Sequence, residues 1–240
     1  IAAPVLFFLP MGKGILARMA TYEIEIKSLL GSPENADALR QKLLGAGGTL
    51  TSKNKQLNHY FIGGDLSALA ETVSLHLSPD DREELAHIVS VGKDFSIRTR
   101  DADGKVYLVV KASADDTTSA NGISRMEFQA EVPLTLDELD ALLLEAGLEY
   151  QAKWSREREE YACRDCAVTV DKNAGYGYVA EFERVVGKEA NREAIASELR
   201  AFMQEVGAEE LPQDRLERMF AHYNAHWPEY YGTDKIFVIE

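Results

Sequence analysis

The chain has 240 residues, with 26 Lys and Arg against 40 Asp and Glu, a formal net charge of −14. That length allows one large domain or two small ones, and the acidic balance argues against a nucleic-acid coat or an anionic-membrane binder, both of which need a broad basic surface. No apolar run approaches the roughly 20 residues that span a bilayer, and two cysteines exclude a disulfide scaffold and point to a reducing, cytoplasmic compartment.

The chain opens on apolar IAAPVLFFLP, with Met11 and Met19 following, and Lys13 and Arg18 come after the apolar stretch. That is not the order of a secretory signal. Residues 1–18 are expected to be a leader, with Met19 the natural start and 19–240 a single domain. The charged–apolar alternation of 21–30 predicts a strand. Ser32-Pro33 opens a helix that runs to Leu44 and stops at the Gly45–Gly48 cluster. Residues 56–62 read as a strand. The segment 66–94 is an insertion, with helix in two pieces over 66–91, the second capped by Ser78. Residues 95–101 and 105–112 form a hairpin around Asp103-Gly104, and 123–132 alternate again. Thr135 with Glu138 is a capping box for a helix through Ala146. Strands are expected at 150–163, 166–173 and 178–186, and helices at 188–207 and 212–226. The end, YYGTDKIFVIE, reads as a short strand or an ordered tail. Tight turns join most strands, so the sheet is mainly antiparallel and the class is α+β, with about eight strands and about five helices.

Side chains at i, i+2 and i+4 share a strand face. Glu23, Glu25 and Lys27 therefore line up, as do Arg98 with Arg100, Arg125 with Glu127, Gln129 and Glu131, Arg156 with Arg158, and Glu181 with Glu183; Lys111 and Asp171 each end a strand. A single charged face is usually a solvated one. Six strands with paired charges, each opposite apolar residues such as Ile24, Ile26, Ile97 and Phe128, suggest charged faces that all point into one lumen if the sheet closes into a barrel. Buried charges need partners. Internal salt bridges would satisfy them, but a polyphosphate held by the basic set, with a hard divalent cation on the carboxylates, satisfies both sets at once.

These residues fall into six motifs in order over about 22–186: Glu23-Ile24-Glu25-Ile26-Lys27; Ser96-Ile97-Arg98; Leu108-Val109-Val110-Lys111; Arg125-Met126-Glu127; Arg156-Glu157-Arg158-Glu159-Glu160-Tyr161; and Asp171 with Gly177, Glu181 and Glu183. The series resembles the CYTH superfamily, the triphosphate tunnel metalloenzymes. The resemblance implies an eight-stranded antiparallel β-barrel tunnel with helices packed outside, binding a small-molecule triphosphate with Mg²⁺ or Mn²⁺, as a monomer or homodimer, with neither a nucleic-acid duplex nor a membrane as partner. By that likeness Lys27, Arg98, Arg100, Lys111, Arg125, Arg156 and Arg158 contact phosphate. Glu23, Glu25, Glu127, Asp171, Glu181 and Glu183 bind metal directly or through water, and Glu23, Glu25 and Lys27 serve catalysis. Gln129 stands where many members carry a second Glu, and Glu131 is the expected substitute. The family's C-terminal Ser-Tyr element is not evident, and the 66–94 insertion is long enough to shape the substrate mouth.

Members include thiamine, inorganic and RNA triphosphatases and class IV adenylate cyclases. Retention of both carboxylates in Glu181-x-Glu183 favours triphosphate hydrolysis. Cyclisation of ATP to cyclic AMP is the alternative, and a catalytically silent polyphosphate binder is a third. Cys163-x-x-Cys166 lacks the second pair that zinc needs and reads as a hairpin turn, with a cross-turn disulfide as the other possibility. His222 and His226 read as packing residues, and His59 with Tyr60 as facing the substrate mouth.

Overall fold

The computed structural model describes residues 21–113, 125–187 and 190–239, so the expected leader over 1–18 lies outside the described residues. The strands are β1 (Thr21–Gly31), β2 (Thr49–Gly63), β3 (Lys93–Ala102), β4 (Lys105–Ser113), β5 (Arg125–Val132), β6 (Leu148–Cys163), β7 (Cys166–Asn173) and β8 (Gly177–Gly187). The helices are α1 (Pro33–Gly45), α2 (Leu66–Val73), α3 (Pro79–Val91), α4 (Leu136–Glu145), α5 (Arg192–Glu205) and α6 (Gln213–Tyr230). Every strand pairing is antiparallel, in one eight-stranded sheet of order β1-β8-β7-β6-β2-β3-β4-β5.

The local signals act as their chemistry requires. Ser32 caps α1 by accepting from the Asn35 amide, Ser78 caps α3 through the Asp81 amide, and Thr135 and Glu138 form the reciprocal capping box of α4. Asp103 and Gly104 both take positive φ, 52° and 86°, which matches the twist of a two-residue hairpin. Gly177 opens β8 at φ 72°, where an added Cβ would stand 2.5 Å from the Gly31 carbonyl oxygen, so that motif glycine permits a close backbone approach. Two boundaries stand out against expectation. β2 begins at Thr49 rather than at 56, because β6 pairs with it along its whole length. The last helix runs past Pro228 to Tyr230, proline being tolerated in a final turn that packs. The tail then returns beside the β7–β8 turn, bonded to both sides of Gly175.

Alternation puts one face of each strand against helices. Leu69 and Val73 of α2, Leu85 and Ile88 of α3, and Leu139 and Leu143 of α4 share a core with Ile97, Leu108, Val110 and Phe128. α1 and α5 bury Leu39, Leu43, Leu199 and Phe202 against Ile24, Ile26, Val168 and Phe182. α6 lays Leu216, Met219 and Tyr223 on Ala152 and Tyr176. With helices covering the outer surface, the charged faces are left to the inside of the curl. The expected eight-stranded antiparallel tunnel forms, with one difference: edges β1 and β5 approach each other but share no ladder, so the wall is curled rather than closed. Among the described residues no helix is long and apolar enough to cross a membrane.

Candidate active site in the tunnel

The lumen is divided by charge. On the acidic side, β1 and β8 pair Glu25 with Glu183 and Lys27 with Glu181. Lys111, near the end of β4, pairs with Glu127 opposite it on neighbouring β5 at 2.8 Å and reaches across the open seam to Glu23 of β1 at 3.0 Å. β1 and β4 are far apart in the sheet order, so this bridge exists only because the sheet curls. Lys27 Nζ pairs with Glu25 and donates to Glu181 Oε1 at 3.0 Å.

These carboxylates are unequally compensated. Burial opposes ionisation of Glu181, yet Lys27 and Arg158 hold it well below the usual carboxylate range. Burial also opposes Glu127, which Lys111 brings down. Burial raises Glu23, with the Glu127 charge adding to the rise against the pull of Lys111. Glu183 is pushed up to about 7 by burial and by the charge of Glu23. Burial is the first cause of both rises, a bound cation would favour the ionised form again, and carboxylate oxygens are the ligands a hard divalent cation takes. That donor chemistry fits Mg²⁺ or Mn²⁺. Among the described residues no three His, Cys, Asp or Glu side chains are gathered as a metal-holding group; the carboxylates are spread among the two lysines.

On the basic side, β3 and β6, which flank β2, bring four guanidinium groups together over its inner face. Arg156 Nε donates to Gln56 Oε1 at 2.7 Å and Arg156 Nη1 to Asp171 Oδ2 at 3.1 Å. Arg158 donates to both Asp171 oxygens, at 2.8 and 2.6 Å, and to Glu181 Oε2 at 2.6 Å. Among the described residues Arg100 is held by neutral groups alone, Asn58 Oδ1 and Gln129 Oε1, each at 3.1 Å; burial and its neighbours Arg98 and Arg156 push it down to about 9. Arg98 Nη1 donates to the Tyr60 hydroxyl at 2.8 Å; among the described residues the carboxylate paired with it, Glu127, is 3.9 Å away, and its buried Nε has no partner. Four part-buried cations, faced closely among the described residues by Asp171 and Glu181 with Glu127 farther off at 3.9 Å, leave an excess of positive charge that an anion would neutralise.

The structure therefore brings together Glu23, Glu25, Lys27, Arg98, Arg100, Lys111, Glu127, Arg156, Arg158, Asp171, Glu181 and Glu183. The Arg125 backbone stands opposite Ser113, and its side chain lies outside the description. Asp171 is on the arginine side, 1% exposed, with its oxygens occupied by Arg156 and Arg158. Glu131 does not join the carboxylates: it is exposed and accepts from Tyr107 at 3.5 Å, while Gln129 supports Arg100. His59 faces away from the tunnel, as a strand neighbour of Tyr60 must. It is buried between Asp140 Oδ2 at 2.6 Å and the Tyr231 hydroxyl at 2.7 Å. Cys163 and Cys166 are buried free thiols facing each other at the β6–β7 turn. His222 and His226 stack on each other, and His222 packs against Phe237. Tyr60, read from the sequence as facing the substrate mouth, turns to the arginines; Gln56 and Asn58, which line the tunnel beside it, carry no charge to mark them, and their i, i+2, i+4 spacing with Tyr60 on β2 is the one sequence signal.

Comparison with known proteins supports the geometry. The structure resembles the PH1819 protein of Pyrococcus horikoshii, with a TM-score of 0.57 at 19% identity, covering 84% of this chain and 99% of that one. It resembles a candidate adenylate cyclase from Vibrio parahaemolyticus, with a TM-score of 0.54 at 14% identity over 82% and 98% of the two chains. A Hippeastrum protein described as a candidate adenylyl cyclase with a dominant triphosphatase activity matches at a TM-score of 0.50 and 18% identity, over 83% and 96%. At these identities the likeness shows the fold. No curated protein matches the sequence. The CYTH domain family model matches residues 91–215, a stretch that carries the site residues of β3 to β8 and leaves β1 outside. That match covers more than half of the sequence, and the chain belongs to the CYTH domain family.

Proposed function

We propose that the protein hydrolyses a triphosphate, inorganic or organic, in the tunnel with a divalent metal. One observation carries this reading: among the described residues Arg98, Arg100, Arg156 and Arg158 converge with too few carboxylates to neutralise them, and the buried Arg98 Nε has no partner. A triphosphate carries about four negative charges at neutral pH, and charge-assisted hydrogen bonds from planar guanidinium groups suit its oxygens. Mg²⁺ or Mn²⁺, when bound by carboxylates such as Glu23, Glu127 and Glu183, supplies further charge neutralisation of the phosphates.

In this reading the arginines fix the phosphate chain against β3 and β6. Asp171 holds the two β6 arginines in register, and Gln56 and Asn58 orient Arg156 and Arg100. Glu25 lies opposite Glu183 in the β1–β8 ladder and accepts a hydrogen bond from the attacking water, with Lys27 beside it. Water adds to the terminal phosphorus, the phosphoanhydride bond breaks, and diphosphate leaves. Catalysis is then chiefly positioning and charge stabilisation.

Arg98→Ala tests the assignment. Loss of one aimed cation is expected to lower turnover of inorganic triphosphate by about 10²–10³-fold while the far-ultraviolet circular dichroism stays native. Turnover within a factor of three or so of wild type would remove the arginines from the site.

A further inference from the structure

Tyr60 projects from β2 into the basic half of the tunnel, opposite Arg98 in the β2–β3 register. Its oxygen accepts from Arg98 Nη1 at 2.8 Å, and the Arg98 guanidinium carbon lies 5.6 Å from the ring centroid. A phenol that accepts one hydrogen bond still has its own O–H to donate. No acceptor for that hydrogen is found among the described residues. The charged groups that face the hydroxyl are cations: Arg98 and Arg100 from β3, and Arg156 from β6. From the β7–β8 turn comes Tyr176, whose own buried hydroxyl has no partner among the described residues. Trp154 holds the Tyr60 ring in place from β6, edge-on at 6.3 Å. The result is a fixed ring, an oxygen whose direction is set by an arginine, and a free O–H in a nest of guanidinium groups.

We propose that Tyr60 is a further binding residue of the tunnel, donating its phenolic hydrogen to a phosphate oxygen of the substrate while Arg98 sets its direction, and that deprotonation turns this donor off. The proposal rests on the triphosphate reading of the tunnel. Burial alone would raise the phenol, but Arg98 and Arg156 bring it down to about 8, so the switch falls just above neutral pH. The sign follows from charge. Below that value Tyr60 offers a donor; above it the phenolate removes the donor and sets a negative charge beside the phosphates. Binding and protonation are linked, so a bound triphosphate must raise the pH at which Tyr60 ionises.

The test is calorimetric binding of inorganic triphosphate, without added metal, to wild type and to Tyr60→Phe, at about pH 7 and about pH 9.5. Phe retains the ring and its contact with Trp154. The expected result is a loss of roughly tenfold in affinity at the lower pH, as for a hydrogen bond to a charged group, with the difference gone or reversed at the higher pH. Titration of triphosphate itself is common to both proteins and cancels. A tyrosinate absorbance step near pH 8 should appear in wild type, be missing in Tyr60→Phe, and move upward when triphosphate is added. Equal affinities with parallel pH profiles would overturn the role of Tyr60 and leave the tunnel reading intact. No binding by either protein would overturn the tunnel reading, and the proposal with it.

Discussion

Asp171→Asn separates two roles for one carboxylate. The family resemblance makes Asp171 a metal ligand, whereas the structure engages it with Arg156 and Arg158 through bonds of 3.1, 2.8 and 2.6 Å. The substitution keeps the shape and removes the charge, leaving two adjacent guanidinium groups at 1% exposure of the position between them. Breaking a buried ion pair from one side costs about 3–5 kcal/mol. The lower end applies, since Arg158 keeps Glu181 at 2.6 Å and Arg156 keeps Gln56 at 2.7 Å. A loss of about 3 kcal/mol is a large share of a typical stability of about 5–15 kcal/mol. The assay is urea unfolding with and without inorganic triphosphate. The expected result is a lower midpoint without ligand and a larger ligand-induced recovery than in wild type, because the freed arginines gain an anion. A loss below about 1 kcal/mol, or weaker metal binding at unchanged stability, would refute the arginine-holding role.

Asp140 accepts from Thr99 at 2.6 Å and Tyr150 at 2.7 Å and is bonded to His59 at 2.6 Å, all outside the tunnel. Asp140→Ala leaves three partners unsatisfied and should cost about 3–5 kcal/mol in urea unfolding, with kcat of the surviving folded protein near wild type. Glu183 carries a folded-state value of about 7 against 4.5 for the free group. The folded protein therefore keeps a proton that the unfolded chain releases between those values, and metal-free stability should fall as pH rises through that window, by on the order of 2 kcal/mol after solvent screening. Glu183→Gln should flatten that slope, as read from denaturation midpoints at its two ends. The same raised value predicts that adding Mg²⁺ or Mn²⁺ to wild type near neutral pH releases a proton to a weak buffer, and that Glu183→Gln releases less. Glu25→Gln should reduce turnover by orders of magnitude with the fold intact, checked by circular dichroism and steady-state kinetics.

Much of the tunnel was legible because charge on a strand has period two. Glu23, Glu25 and Lys27 alternate with Ile24 and Ile26, and the structure buries the isoleucines at 1% exposure each. Neutral lining residues carry no such contrast: Gln56 and Asn58 are visible as site groups only once Arg156 and Arg100 are seen to donate to them. The first half of β2 was missed because its polar residues show no apolar alternation, and its strand form comes from pairing with β6. Partner choice is equally non-local. Asp171 sits at a strand end in sequence, and only the β6–β7 register, which sets it opposite Arg158, shows that it holds arginines. The curl without ladder closure depends on how β1 meets β5, about a hundred residues apart, which no local pattern encodes.

The central claim is tested most directly by incubating the protein with Mg²⁺ or Mn²⁺ and, in parallel, inorganic triphosphate, thiamine triphosphate and ATP, reading phosphate, pyrophosphate and cyclic AMP. The account predicts metal-dependent release of phosphate from at least one of them without cyclic AMP. Cyclic AMP with pyrophosphate from ATP, or no product from any of the three, would contradict it.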